Sequence, residues 1–461
     1  MPKEIKPDGD LRFEGFASYP NSAAFSAEAG ILEYSENMEL VEGVASPRKG
    51  SVTAATASAP ITYACSASGT NGDSILLWGA NQRFNCQNGT LTSVNLAAKV
   101  KARGQGYQDA ITMETADTDF TAGANIVERL VTAKGDKLNF TLYTGNQGYE
   151  PDAAYLVQGT YDDIQAILPD ANAMLVFGKR SIYEVKAGLG RQGNIKRQPS
   201  MEVFHKIQKI STVDGLASKD GVCRLGSNVL FMDYDGIKMA KYNGAQASYE
   251  EGNAPISNQI EDIFREIDPA KLHEVTAVGV NGRAYFSLPL LGSFNKSVVL
   301  VINPYSKTPF ESVYVYPYSI DILATGRKNG SIRLWGINKA EGKVYLLNEG
   351  TTDSGASITS TIRSRNYMLS SHSDKKYDDL FLSLDTKGPA EVESYFISVN
   401  PDGRWLMDKF NANLGTAVRR ALANKKSMGG KIEIVVKSGR PVIYSIGIEM
   451  SIVGKSIFSS F

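Results

Sequence analysis

Three pairs of adjacent carboxylates, Asp162-Asp163, Glu250-Glu251 and Asp378-Asp379, are the residues of this chain best suited to acid–base chemistry. Glycoside hydrolysis needs two carboxyl groups held across a cleft, with one of them kept protonated. Acids that adjoin along the chain point apart, so these pairs read first as solvated faces. Imidazole is scarce: His205, His273 and His372 are the 3 histidines, far apart and with no second ligand at metal-binding spacing. The 3 cysteines, Cys65, Cys86 and Cys223, have no C-x-x-C spacing and suggest neither a zinc site nor a disulfide framework. No nucleophile elbow, P-loop or dinucleotide fingerprint occurs, and Gly188-Leu-Gly190 is too short to be one. The residues predict no catalytic centre, no metal and no cofactor.

Basic clusters point to a different kind of contact. Lys99, Lys101 and Arg103 alternate along one possible strand and are candidates for lining a DNA channel. Arg419-Arg420 and Lys425-Lys426 gather near the C-terminus, but no aromatic residue interleaves with them, which favours a solvated face. Lys plus Arg and Asp plus Glu both number 49, so no global field draws the chain to nucleic acid. Any such contact is local.

The elements that would position these residues are strands. With 43 Gly, 22 Tyr and 18 Phe, the composition is that of many turns and half-buried aromatic strands. Asn71-Gly72, Asn88-Gly89, Asp235-Gly236, Asn243-Gly244, Asn281-Gly282, Asn329-Gly330 and Asp402-Gly403 supply the positive φ angles of two-residue hairpins. Apolar runs flank them in five similar units: 74–78 with 81–85, 173–177 with 181–185, 228–232 with 237–239, 284–288 with 297–302, and 331–335 with 343–347. Successive short meanders of this kind predict the blades of a β-propeller, with one or two β-sandwiches as the alternative.

Three segments interrupt the series. Residues 1–50 read as an extended N-terminal arm ending in the basic turn Pro47-Arg48-Lys49-Gly50. Residues 97–160 read as an insertion between blades. A helix is predicted after Asn253, where Ile256, Ile260, Ile263 and Phe264 share one face, and it ends before Pro269. From about 356 the pattern becomes long alternating strands, a separate sandwich. The predicted fold is thus all-β: arm 1–50, propeller-like body 51–355 with an insertion at 97–160, and C-terminal β-sandwich 356–461. The N-terminus lacks the apolar core of a signal peptide and no apolar run is long enough to span a bilayer, so cytoplasmic synthesis without a membrane span is expected.

Four pieces of the chain resemble the tail hub or nozzle proteins of short-tailed bacteriophages, also called tail tubular or DNA stabilisation proteins. They are Glu36-Asn-Met-Glu-Leu-Val-Glu-Gly43 with Pro47-Arg-Lys-Gly50; Leu175-Val-Phe-Gly-Lys-Arg-Ser-Ile-Tyr-Glu184; Asp214-Gly215 through Leu230-Phe231 to Asp235-Gly236; and the closing domain with Arg363, Tyr377 and Asp402-Gly403. The resemblance implies a non-enzymatic virion protein of the tail: a sixfold ring of this chain below the portal and adaptor rings, touching tail fibres, spikes or a needle and transiently double-stranded DNA. In that setting Asn37, Arg48 and Lys49 are the expected assembly contacts. The turn at Ser398-Val-Asn-Pro-Asp-Gly-Arg-Trp405 resembles the Asp-box hairpin of sialidases, with Asn400 where the box Asp would stand. With the acidic pairs it leaves two other readings open, a propeller enzyme acting on glycans and a propeller interaction scaffold.

Overall fold

The structure, a computed structural model, describes residues 13, 15–17, 31–94, 122–141, 151–186, 206–366 and 375–452, apart from short breaks. Asn88-Gly89, Asn281-Gly282 and Asn329-Gly330 each carry two positive φ angles, 51° and 86°, 51° and 78°, and 51° and 80°. Both central residues are therefore left-handed, the backbone that matches the twist of the strands they join. Asp402-Gly403 differs. The antiparallel hairpin of Ala390–Val399 with Asp402–Ala412 forms as the dipeptide suggests, but Asp402 and Gly403 pair with Val399 and Ser398 as the first residues of its returning strand.

These hairpins build a β-propeller, and its described part holds six blades. Blade 1 comprises Ile61–Gly69, Gly72–Gly79, Arg83–Gln87 and Thr90–Val94. Blade 2 comprises Ala122–Ile126, Arg129–Lys134, Lys137–Thr141 and Pro151–Leu156. Blades 3, 4 and 5 cover 164–211, 222–251 and 276–316 in the same antiparallel order. Blade 6 takes Ile322–Lys328, Ser331–Asn338 and Lys343–Leu347 and is completed by Ser51–Thr56, which pairs antiparallel to Lys343–Leu347. A strand from the N-terminal side thus closes the last blade, which removes an exposed edge.

The five predicted units are the middle strands of blades 1, 3, 4, 5 and 6. Blade 2 stands where an insertion was expected. Its strands are short and polar, and their described core is small: Ala133 and Leu138 pack with Ile164, Ile167, Met174 and Val176 of blade 3. Apart from the five residues Lys137–Thr141, where Leu138 and Phe140 alternate with polar residues, too few apolar residues alternate there to register as a period-two signal.

Apolar faces of adjacent blades pack on one another. Phe177 of blade 3 meets Phe231 of blade 4 with ring centroids 5.5 Å apart. Blades 5 and 6 join through Val299, Val301, Tyr314, Leu334 and Leu347. Blades 6 and 1 join through Trp335, Ile337, Ile75 and Leu77. The predicted helix is broken into a 3-10 turn at Ile256–Gln259, a short α-helix at Glu261–Arg265 and a second 3-10 turn at Pro269–Glu274, capped by Asp268. Among the described residues no helix is long and apolar enough to cross a membrane.

The sandwich has two five-stranded layers. One orders Ile31–Glu36, Ser360–Ser364, Gly430–Ser438, Ala390–Val399 and Asp402–Ala412; the other orders Met38–Val41, Val44–Pro47, Val442–Ile452, Lys375–Thr386 and Gly415–Ser427. Residues 31–47 are therefore three strands of the sandwich, a correction to the extended arm expected over 1–50. Leu32, Met38, Leu40 and Ala45 lie in one apolar cluster with Ile362, Leu382, Phe396 and Ile434, and burial of that face holds them. The two bodies are also continuous. Glu36 pairs in parallel with Val313 of blade 5, and the same cluster reaches Phe286, Leu300 and Phe310.

Burial sets the state of the three thiols. It pushes Cys65 and Cys86 up to about 11 and Cys223 to about 12, from an ordinary 9.0, with a nearby Gly89 amide pulling Cys86 partly back. A folded value above the unfolded one means that the stability these thiols contribute is complete below pH 9 and is lost as pH rises through about 11 to 12. At pH 8 a disulfide-exchange reagent is expected to leave Cys86 and Cys223 unlabelled in the folded chain and to label them on denaturation. Rapid labelling of Cys223 in the folded chain would contradict this.

Candidate functional site

The densest polar constellation sits where propeller and sandwich meet. Asn37 is the hinge between the two layers of the sandwich, held in a left-handed conformation at φ 54° that Asn tolerates better than most residues. Its side chain accepts from the Val315 amide at 2.8 Å and donates to the Thr359 carbonyl at 2.9 Å. Its backbone carbonyl accepts from the Arg48 amide and the Ser360 hydroxyl.

Arg48 fills the remaining space, with a side chain at 0% exposure. All five guanidinium donors are engaged. Nε donates to Asn37 Oδ1 at 2.8 Å, Nη1 to Asp353 Oδ1 at 2.9 Å and the Lys49 carbonyl at 3.0 Å, and Nη2 to Asp353 Oδ2 at 2.5 Å and the Val315 carbonyl at 2.9 Å. The guanidinium carbon lies 4.2 Å from the centre of the Tyr316 ring and 5.5 Å from that of Tyr314. Ser51 donates to Asp353 Oδ1 at 2.9 Å and also meets the Tyr318 hydroxyl. Burial alone would lower the Arg48 pKa, but Tyr316, the Asp353 carboxylate and Tyr314 outweigh it and hold the group above its ordinary value. A fork of fixed planar donors is what this site requires.

Asn37 and Arg48, expected as contacts to other subunits, are therefore buried within their own chain. The basic turn folds inward because Asp353 offers a bidentate partner and the tyrosines a wall. Only Lys49 of the three is exposed. Lys99, Lys101 and Arg103 lie outside the described residues. Nothing in the sequence marks Asp353, since it is 305 residues from Arg48 and its neighbours are unremarkable. The alternation Tyr314-Val-Tyr316-Pro-Tyr318 was a usable signal for an aromatic wall.

Two other pieces of the resemblance contribute partners to interior ties. Lys238, 5% exposed, is held between Asp214 and Asp233, the latter at 3.0 Å. Arg363 and Arg404 both grip the buried Glu433 at 2.6 Å. Tyr377 is fully buried against Phe396. The acidic pairs behave as structure too: Asp162 accepts from the Arg180 amide and the Ser181 hydroxyl across a hairpin, and Asp379 pairs with Arg420. Arg420 also lies near the Phe381 ring, Arg419 over Phe410 and Lys425 over Trp405, so tertiary structure brings aromatic rings to a cluster that had none in sequence.

A second candidate lies in the turn before blade 4, near Tyr63 of blade 1 and Lys339 of blade 6. Burial raises the pKa of Asp220, with Lys219 and Lys339 pulling it back. Lys219 Nζ stands 5.4 Å from the centre of the Tyr63 ring, joining blades 4 and 1. Lys339 also lines a cavity of about 450 Å³ with Asp268, Lys271, Glu274 and Asp321. Ser319 and the Lys339 amide both donate to Asp321, so that carboxylate is engaged. Among the described residues no three His, Cys, Asp or Glu side chains come together as a metal site.

No protein-family profile matches the chain, and no curated protein does. Solved structures align with it at low similarity. Virginiamycin B lyase from Staphylococcus aureus aligns at 12% identity and a TM-score of 0.31, covering 75% of this chain and 98% of that one. The dihydro-heme d1 dehydrogenase NirN aligns at 11% identity and 0.33, covering 80% and 67%. An exo-β-1,3-galactanase from Phanerochaete chrysosporium aligns at 8% and 0.23, covering 71% and 95%. Such scores carry no activity across. The class of this protein, a β-propeller fused to a β-sandwich, is defined by its own sheet order.

Proposed function

We propose that this chain is a structural ring subunit of the tail hub or nozzle kind, a part that bears load and positions partners rather than one that turns over a substrate. One observation supports the reading most: residues of the pieces that carry the resemblance, Asn37, Arg48, Asp214 and Arg363, take part in the ties of the architecture. Asn37 and Arg48 lock the sandwich to blades 5 and 6, the Lys238 triad locks blade 4, and Arg363 with Arg404 locks the sandwich sheet. A component that transmits force gains from such a single rigid body, because domains joined only by a linker move independently. Self-association into a sixfold ring, docking below an adaptor and contact with fibres, needle and DNA belong to this proposal.

Mass spectrometry of particles purified from cells that carry the gene tests it. The chain is expected in the tail fraction, and particles that lack it would overturn the proposal. The second reading, an enzyme acting on glycans, has Asp220 and the cavity near Lys339 in its favour. A retaining or inverting glycosidase needs a second carboxyl group facing the first. Incubation with a panel of polysaccharides is expected to give no turnover. Hydrolysis that disappears in Asp220→Asn would establish the enzyme instead.

A further inference from the structure

A cleft of about 370 Å³ opens beside the Arg48 junction, between two turns of the sandwich, 386–389 and 438–440, and the turn 351–358 that follows blade 6. Its size is within the range of small-molecule pockets. Three basic residues line it, Arg48, Lys387 and Arg440, and no acidic residue does. Arg48 is fully engaged with Asp353, as described. Arg440 donates Nε to the Pro47 carbonyl at 2.8 Å and Nη2 to Glu39 at 3.2 Å, while its Nη1 makes no hydrogen bond among the described residues. Lys387 is exposed and has no carboxylate partner among the described residues. Thr352 and Ser438 add hydroxyls, and Ile358 and Pro389 add an apolar wall. The two sandwich turns are pressed together: Gly439 is left-handed at φ 83°, and a Cβ there would strike Pro389 and Ala390. The backbones of the two turns that carry Lys387 and Arg440 are therefore closely packed.

We propose that this cleft binds a small organic oxyanion, a phosphate or carboxylate carried on an apolar group. Lys387 and the free Nη1 of Arg440 would hold the charged head, since charge-assisted hydrogen bonds from a guanidinium and an ammonium suit such oxygens. The hydroxyls of Thr352 and Ser438 would complete its shell, and the apolar group would lie on Ile358 and Pro389. Because the rim comes from both bodies, an occupant would brace the sandwich against the propeller. The inference is independent of whether the chain forms a ring.

Isothermal titration of the full chain tests it with three probes: inorganic phosphate, phenyl phosphate and benzoate. Saturable binding at one site is expected, with an aryl probe tighter than inorganic phosphate by roughly tenfold through the buried ring. The stronger of phenyl phosphate and benzoate identifies the head group. Lys387→Glu, at an exposed position that leaves the fold intact, should weaken the aryl probe by at least about tenfold. Lys241→Glu, an exposed charge reversal on blade 4, should leave binding within about twofold. Absence of saturable binding by either aryl probe, or equal losses in the two variants, would overturn the proposal.

Discussion

Replacing Arg48 by Ala is expected to lower the melting temperature by about 10 °C and to split one calorimetric transition into two. Removing one partner of a buried ion pair costs about 3–5 kcal/mol, because the other charge stays behind without compensation. In this chain the abandoned group is Asp353, 4% exposed, left with Ser51. The Asn37 side-chain oxygen and the Lys49 and Val315 carbonyls lose donors in the same step. For domains of this size each kcal/mol moves the midpoint by about 2–4 °C. The second transition follows from position: Arg48 and Asp353 sit at the seam, so loosening them lets sandwich and propeller melt apart. Arg48→Lys keeps the charge but loses the fork and is expected to recover less than half of the loss. The double variant Arg48→Met with Asp353→Leu should be milder than Arg48→Ala, since no charge is then stranded. Scanning calorimetry of the four proteins checks these outcomes, and an unchanged Arg48→Ala would show that the junction is idle.

Deleting residues 1–40 is expected to abolish soluble expression, because the segment supplies strands of the sandwich rather than an extended arm. The deletion removes the whole strand Ile31–Glu36 and most of Met38–Val41. Ile31–Glu36 lies between Ser360–Ser364 and blade 5, so two hydrogen-bonded neighbours lose their partner at once. Leu32, Met38 and Leu40 leave the core, stripping cover from Ile362, Leu382 and Phe396. Deleting one such buried side chain costs about 2–5 kcal/mol, and three with their strands exceed the ~5–15 kcal/mol that stabilises a typical domain. Soluble yield and circular dichroism measure the effect. A folded truncated protein would mean that the sandwich closes without its N-terminal strands. Lys49→Ala, an exposed position shortly after the deleted stretch, should change stability by no more than about 0.5 kcal/mol and serves as the control.

What could be read from the chain was local. A hairpin is encoded by two adjacent residues and the runs beside them, so Asn88-Gly89, Asn281-Gly282 and Asn329-Gly330 predicted their turns, and five pairs of apolar runs predicted the middle strands of five blades. The long alternating strands 379–384, 390–399, 431–436 and 442–452 were legible for the same reason, because each repeats its period for several residues. Blade 2 was not, since Arg129–Lys134 gives no periodic contrast and the alternation of Leu138 and Phe140 in Lys137–Thr141 spans only five residues. Long-range closure was decided by tertiary structure alone. Nothing near Ser51–Thr56 announces its pairing with Lys343–Leu347, nor do residues 31–47 announce that they complete a sheet ending some four hundred residues later. Such pairings depend on which apolar face is left uncovered once the blades have formed, a property of the assembled surface. Arg48 shows the same division. Its type and charge are visible in the sequence and suggest an exposed turn, whereas its burial depends on Asp353 and Tyr316 arriving from elsewhere in the chain. A guanidinium goes inside only when all its donors are met, and only the folded chain brings those acceptors together.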